Sequence, residues 1–194
     1  TAPATPPSST SSRPQAKPLS YKEELRRVIP VIKVLGKKIK APISIDTHKS
    51  QVAARALDNG ACIVNDITAL NGDPRMAKVV KRYKAAAILM HMKGKPANMQ
   101  KNIHYRNLMD DIITYLNDSI INAVESGISI EKLIIDPGIG FGKTTGQNME
   151  IIKRLSELKI LGRPILIGVS RKSFIGNILK SPPQERLQGT ISSV

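Results

Sequence analysis

Five short apolar runs punctuate the chain, and each ends in side chains able to bind a ligand: Pro42-Ile43-Ser44-Ile45-Asp46, Cys62-Ile63-Val64-Asn65-Asp66, Ala86-Ala87-Ile88-Leu89-Met90-His91, Leu133-Ile134-Ile135-Asp136 and Pro164-Ile165-Leu166-Ile167-Gly168-Val169-Ser170-Arg171-Lys172. Helical spacing fills the gaps. Ser20 and Glu23 form a capping-box pattern ahead of Leu25, Val28, Ile29, Ile32 and Leu35, with Gly36 as the expected stop. Val52, Ala53, Ala56 and Leu57 predict a second helix, Met76, Val79 and Val80 a third, and Leu108, Ile112, Tyr115, Leu116, Ile120 and Val124 a long fourth. Met149, Ile152, Leu155 and Leu158 predict a fifth. Strands that are nearly all apolar and alternate with helices form a parallel sheet covered by helices. Polar groups gathered at the C-terminal strand ends fit a (β/α) barrel or a doubly wound sheet. No Gly-rich dinucleotide turn follows the first strand, which favours an α/β barrel.

The run that ends at Asp136 continues as Pro137-Gly138-Ile139-Gly140-Phe141-Gly142-Lys143. Glycines at alternate positions leave little side-chain bulk, so the backbone can approach a flat ligand closely. Asp46 and Asp136 are open between general acid and base, metal ligand and hydrogen-bond acceptor; an Asp after a strand is also a common helix cap. A carboxylate accepts two parallel N–H bonds, Asn65 both donates and accepts, and Lys172 adds a cation. Together the four describe a pocket for a polar, planar heterocycle. Phe141 is placed to cover a ring face or to anchor its loop, and Met90 to line the site or fill the interior. His48, His91 and His104 lack paired metal-ligand spacing. Gly142-Lys143-Thr144 imitates the end of a phosphate-binding P-loop, but Pro137 stands where that motif needs glycine, which excludes an NTPase of that class.

Charge changes this picture little. The net charge is +15, from 30 Lys and Arg against 15 Asp and Glu. The lysines are spread over every helical pattern and only 3% of residues are aromatic, so no stacking platform for nucleic-acid bases is expected. No apolar run reaches the roughly 20 residues of a membrane span. Cys62 is the single cysteine, read as a buried structural thiol in a reducing, cytoplasmic setting. Residues 1–18 are rich in Pro, Ser and Thr and hold no acid; they read as a flexible tail, with a mitochondrial or plastid transit remnant as the alternative. Residues 19–194 read as one barrel domain.

These motifs resemble the dihydropteroate synthase family. The resemblance rests on Ile45-Asp46-Thr47, Val64-Asn65-Asp66-Ile67, Leu89-Met90-His91-Met92-Lys93-Gly94, Ile135 through Lys143, and Gly168-Val169-Ser170-Arg171-Lys172-Ser173-Phe174-Ile175-Gly176, in the family's order. Ser11-Ser12-Arg13-Pro14 is similar to the family's Ser-Thr-Arg-Pro loop. The resemblance implies a (β/α)8 TIM barrel and a transferase of folate biosynthesis. That enzyme condenses 6-hydroxymethyl-7,8-dihydropterin pyrophosphate with p-aminobenzoate, with Mg2+ assistance, and is a sulfonamide target. Carried over by position, Asp46, Asn65, Asp136 and Lys172 would hold the pterin, with Asp46, Asp136 and Lys172 acting in catalysis. Met90, Phe141 and Gly168 would line its pocket, while Ser12, Arg13 and Ser170 would lie near the pyrophosphate or p-aminobenzoate. The family also implies a homodimer.

The Asn-Val-Thr-Pro-Asp-Ser-Phe loop, whose Asn holds the family's metal, has no counterpart in this chain, and neither do the apolar run of strand 2 and the last strand. The chain is therefore expected to hold about strands 3 to 7, to contain no metal ligand of its own, and to show little synthase activity by itself. Two other functions compete: a methyltetrahydrofolate-binding methyltransferase domain, and a barrel that binds pterin without turnover. Ser170-Arg171-Lys172-Ser173-Phe174-Ile175-Gly176 favours the synthase over the methyltransferase.

Overall fold

The computed structural model describes residues 19–94, 96, 98–100 and 102–194. The expected tail over residues 1–18, with Ser12 and Arg13, lies outside them. The described chain runs α1 (Tyr21–Lys38), β1 (Ser44–Asp46), α2 (Ser50–Asp58), β2 (Ile63–Asp66), α3 (Met76–Tyr83), β3 (Ala86–Met90), α4 (Leu108–Glu125), β4 (Leu133–Asp136), α5 (Thr145–Lys153), α6 (Ser173–Leu179) and α7 (Leu187–Ile191), with short 3-10 turns between. The four strands pair in parallel and in sequence order, as the strand–helix alternation requires.

Register sorts the side chains onto two faces. Ile45, Val64, Ala87 and Leu133 align across the sheet, joined two positions on by Leu89 and Ile135. These residues pack in one core with Val52, Val80, Ile112, Leu116 and Ile151 from the helices. Each large aliphatic side chain so buried contributes about 1.5–3 kcal/mol. Successive strand residues point to opposite faces. The other face therefore carries Asp46, Asn65, Ile88 and Ile134 in one row, and Met90 beside Asp136 two residues further along. The apolar half of each run builds the core, and the polar half is delivered to the far side of the sheet.

Five features differ from the sequence expectation. The fifth run does not extend into a strand of its own: it meets β4 through one bridge, Ile135 to Ile165, with Ile135 N–H donating to Pro164 and Leu166 N–H to Ile135. Pro164 has no N–H with which to lengthen the ladder. Gly36 does not stop α1, which continues to Lys38. A Cβ at Gly36 would lie 3.2 Å from the carbonyl oxygen of Asn59, so the missing side chain lets α1 lie close against the end of α2. Ser20 caps α1 by accepting from Glu23 N–H, but the Glu23 carboxylate turns to Arg26 and Arg27, leaving the capping box half made. Cys62 is exposed, not buried. It precedes β2 by one residue, and burial passes instead to its neighbour Ala61 and to Val64. The fifth helical pattern is split between α5 and a 3-10 turn over Leu155–Leu161, which still buries Leu158.

Candidate functional site

The C-terminal strand ends collect the expected side chains. Asp46 closes β1 and pairs in register with Asn65 of β2; Met90 closes β3 and pairs with Asp136 of β4. Asp46 and Asn65 are half-buried, while Met90 and Asp136 are buried. Thr47 N–H donates to the carbonyl of Asn65 and His91 N–H to that of Asp136, so adjacent strand ends are tied just where the side chains leave the sheet. The side-chain oxygen of Asn65 is buried with no hydrogen-bond partner among the described residues. Such an orphan acceptor is costly unless a ligand donor meets it.

Beyond Asp136 the chain turns sharply. Gly138 has φ +68°, and a Cβ there would fall 1.9 Å from the carbonyl oxygen of His91, so only glycine lets the turn press onto the end of β3. Gly138 N–H donates to Asp136 Oδ1 at 2.7 Å, which fixes that carboxylate's orientation. Side chains anchor the rest of the turn. Asn148 Oδ1 accepts from Gly140 N–H at 2.7 Å, Gln100 donates to the Gly140 carbonyl at 2.7 Å and Tyr105 to that of Gly142 at 2.9 Å. Thr144 then starts α5 with a full capping box to Gln147.

Lys172 reaches in from the residue that caps α6. Its ammonium donates to the Ile139 carbonyl and stands 4.9 Å from the centre of the Phe141 ring. A Cβ at Gly168 would lie 3.7 Å from the same nitrogen, so this glycine also borders the lysine. Ser170 is exposed in the turn just before it. Burial raises the pKa of Asp136, against the pull of Gly138 N–H and of the Lys172 and Lys143 ammoniums, while Asp46 pushes it further up. Burial lowers that of Lys172, with Asp136 opposing. The structure thus brings together Asp46, Asn65, Met90, Asp136, Phe141, Gly168 and Lys172. They offer acceptors at the strand ends, a cation near enough to interact with Asp136, and an aromatic ring beside that cation. Among the described residues no group of three His, Cys, Asp or Glu side chains could hold a metal ion.

Three polar groups here take places that sequence reasoning did not assign: Asp66 was read among the ligand-facing strand ends, and Glu24 and the burial of Lys143 were not foreseen. Asp66 is fully buried, points to the helix-covered face beside Leu89, and accepts from Thr68 N–H and Oγ1 at 2.8 and 2.7 Å. Burial pushes its pKa up to about 6 despite those bonds. Glu24 of α1 is fully buried and holds Thr47, the residue after Asp46. Lys143 is buried inside the glycine turn. The signal for Lys143 was its place at the close of a turn of small residues, which by sequence reads only as an imitation of a P-loop end. A separate cavity of about 410 Å³, lined by Lys81, Lys84, Gly127 and Lys132, collects none of the strand-end acids.

A parallel sheet whose strand ends present two acids, an amide and a lysine defines a ligand-binding α/β protein of the barrel class. Residues 8–194 match the family described as pterin binding enzyme, and the chain belongs to that family. It is 45% identical to the dihydropteroate synthase of Synechocystis sp. over 181 residues, which cover 93% of this chain and 63% of that enzyme. The solved structure of the Yersinia pestis dihydropteroate synthase with a sulfonamide drug superimposes with a TM-score of 0.91 at 38% identity, covering 95% of this chain and 66% of that one. The Xanthomonas albilineans dihydropteroate synthase with 4-aminobenzoic acid gives a TM-score of 0.88 at 37% identity, covering 95% and 65%. The chain therefore spans about two thirds of the length of the relatives it matches.

Proposed function

We propose that residues 19–194 form the pterin-holding part of a dihydropteroate synthase. The reaction joins 6-hydroxymethyl-7,8-dihydropterin pyrophosphate to p-aminobenzoate, giving dihydropteroate and pyrophosphate. The observation that carries this reading is the shared face of Asp46, Asn65, Met90 and Asp136 at the strand ends, with Lys172 near enough to interact with Asp136. Asp136 keeps one carboxylate oxygen for the ring-edge N–H groups, because its other oxygen is held by Gly138. The unpartnered oxygen of Asn65 takes a further ring donor. Phe141 covers the ring and Gly168 leaves it room.

In the chemical step the bond between the pterin methylene carbon and the pyrophosphate oxygen breaks, and that electron pair leaves with pyrophosphate. The p-aminobenzoate nitrogen then forms the C–N bond and gives up a proton. The two aspartates disperse the positive charge that develops on the pterin, and Lys172 faces the departing anion. Ser12, Arg13 and Ser170 are assigned to the anion and p-aminobenzoate side by position alone. The resemblance implies Mg2+, but the described residues offer no cage for it, and it is assigned no part in what they do. The same reading carries a homodimer and a cytoplasmic setting.

Titrating dihydropterin against the chain and its Asp136→Asn variant tests the assignment. An amide turns a donor toward the ring's own N–H groups, and loss of one charge-assisted bond costs about 1.5–3 kcal/mol, roughly a 10- to 150-fold weakening. Equal affinities would remove Asp136 from the site.

A further inference from the structure

Lys143 is 2% exposed, and among the described residues it makes no ion pair. Its ammonium is held by neutral acceptors: His91 Nδ1 at 2.9 Å, the Gly138 carbonyl at 3.0 Å and the Phe141 carbonyl at 3.0 Å, with the His91 carbonyl at 3.4 Å. A buried cation without a carboxylate is costly, and an apolar side chain of similar length would fill the same space without that cost. What the ammonium joins explains its presence. Gly138 and Phe141 belong to the glycine turn and His91 to the end of β3. The peptides of that same turn orient Asp136, through Gly138 N–H, and seat Lys172, through the Ile139 carbonyl.

We propose that Lys143 is a positioning residue, a protonated clip that fastens the glycine turn to the end of β3 and so sets Asp136 and Lys172 for the ligand. The ligand, though not the clip, rests on the pterin-binding reading above.

The clip depends on the proton because of donor number. Three acceptors stand at 2.9–3.0 Å, and an ammonium has three donors to fill them. A neutral amine has two donors and a lone pair. Burial, then the charges of Lys143 and Lys93, keep His91 neutral. Its bond from Lys143 makes Nδ1 the acceptor and assigns the ring proton to Nε2. When Lys143 loses its proton, two lone pairs face each other unless His91 moves its proton to Nδ1. Deprotonation of the lysine and tautomerisation of the histidine are thus one event. Burial drags the Lys143 pKa down to about 7, with Asp136 opposing and Lys172 adding to the fall, so the event lies near neutrality. The other groups around the pair are Tyr105 and Tyr115, whose rings stand 6.0 and 5.0 Å from that of His91, and the neutral amide of Asn148, which bonds the Lys143 carbonyl.

The experiment is a pH titration of the 15N-labelled chain from about pH 6 to 9, following the His91 ring nitrogens and the amides of residues 138–142, with dihydropterin affinity measured at each point. The expected result is a single shared midpoint. His91 Nδ1 passes from acceptor-type to N–H-type, the turn amides shift with it, and dihydropterin binding weakens about tenfold above it, because the three charge-assisted bonds of the ammonium become weaker neutral ones. Lys143→Met abolishes the shared midpoint and binds dihydropterin about tenfold more weakly even at the acid end.

A Lys143→Cys change in a Cys62→Ser background, aminoethylated while unfolded and then refolded, restores an amine of lower basicity. It recovers binding and moves the midpoint to lower pH, which a purely space-filling role would not do. A wild-type His91 spectrum that stays flat while Lys143 titrates overturns the clip, and so does wild-type dihydropterin affinity in Lys143→Met. If the wild-type chain shows the shared midpoint but binds no dihydropterin, the clip stands and the pterin reading falls. If Lys143→Met does not fold, the wild-type titration and the aminoethylated chain still decide.

Discussion

Asp136 commits one oxygen to its own turn, so the direction of its carboxylate depends on a neighbour two residues away. Lys172 is similar: one donor goes to the Ile139 carbonyl, and an ammonium has three. Lys172→Ala should therefore weaken pterin pyrophosphate more than the pterin alcohol, since only the former meets the ammonium with an anion. Calorimetric titration of both ligands checks this, and equal weakening would confine Lys172 to the ring. At this scale the positions of Asp46 and Asp136 were readable because an apolar run that stops at a carboxylate marks the end of a buried strand. Lys143 was not, since its role depends on carbonyls whose directions are set only by the positive φ values of the turn. Cys62 was misjudged because its neighbours are apolar; one step before the strand, the chain has not yet entered the core.

Among the elements, α1 does more than cover the sheet. Glu24 in its first turn accepts from Thr47 Oγ1 at 2.8 Å and from the Lys49 ammonium, so the helix holds the loop that follows Asp46. Glu24→Gln keeps a partner for Thr47 but loses the charge facing Lys49. A charged hydrogen bond of this kind contributes about 1.5–3 kcal/mol, discounted because Lys49 is partly exposed, so a loss near 1.5 kcal/mol is expected. Urea unfolding should show a lower midpoint at unchanged slope. An unchanged midpoint would mean that Thr47 alone fixes the loop. Helix existence was legible from spacing and from Ser20. The helix ends were less so, because Gly36 serves a close helix crossing and the end of the fifth pattern tightens into a 3-10 turn; both outcomes depend on neighbours far away in sequence.

For the molecule as a whole, the buried Lys143 and the half-buried Lys172 contribute to the response to pH above neutrality. Burial holds the folded-state pKa values of Lys143 and Lys172 below the usual lysine value of 10.5, to about 7 for Lys143. The folded chain therefore binds these protons less tightly than the unfolded chain. Stability is lowest below the folded values and rises as pH climbs from about 7 toward 10.5, by at most about 1.4 kcal/mol per pH unit for each lysine. Denaturation midpoints between about pH 7 and 9.5 should show this rise, and Lys143→Met should flatten most of it. A rise that survives the substitution would assign it to other groups. The helix-covered parallel sheet was legible from alternation alone, because nearly all-apolar strands have no other stable covering than helices on a parallel sheet; the choice of a barrel over a doubly wound sheet needed the missing Gly-rich turn and the family resemblance. How far the fifth run pairs was not, because a single proline decides which ladder bonds can form.

Cys62 sits at the opposite end of β2 from Asn65, three residues and roughly 10 Å away along the strand. It is also the chain's one thiol. Nature has thus left a unique chemical address on the quiet side of the sheet. An environment-sensitive dye attached there would report on the strand that carries Asn65 while standing at its far end.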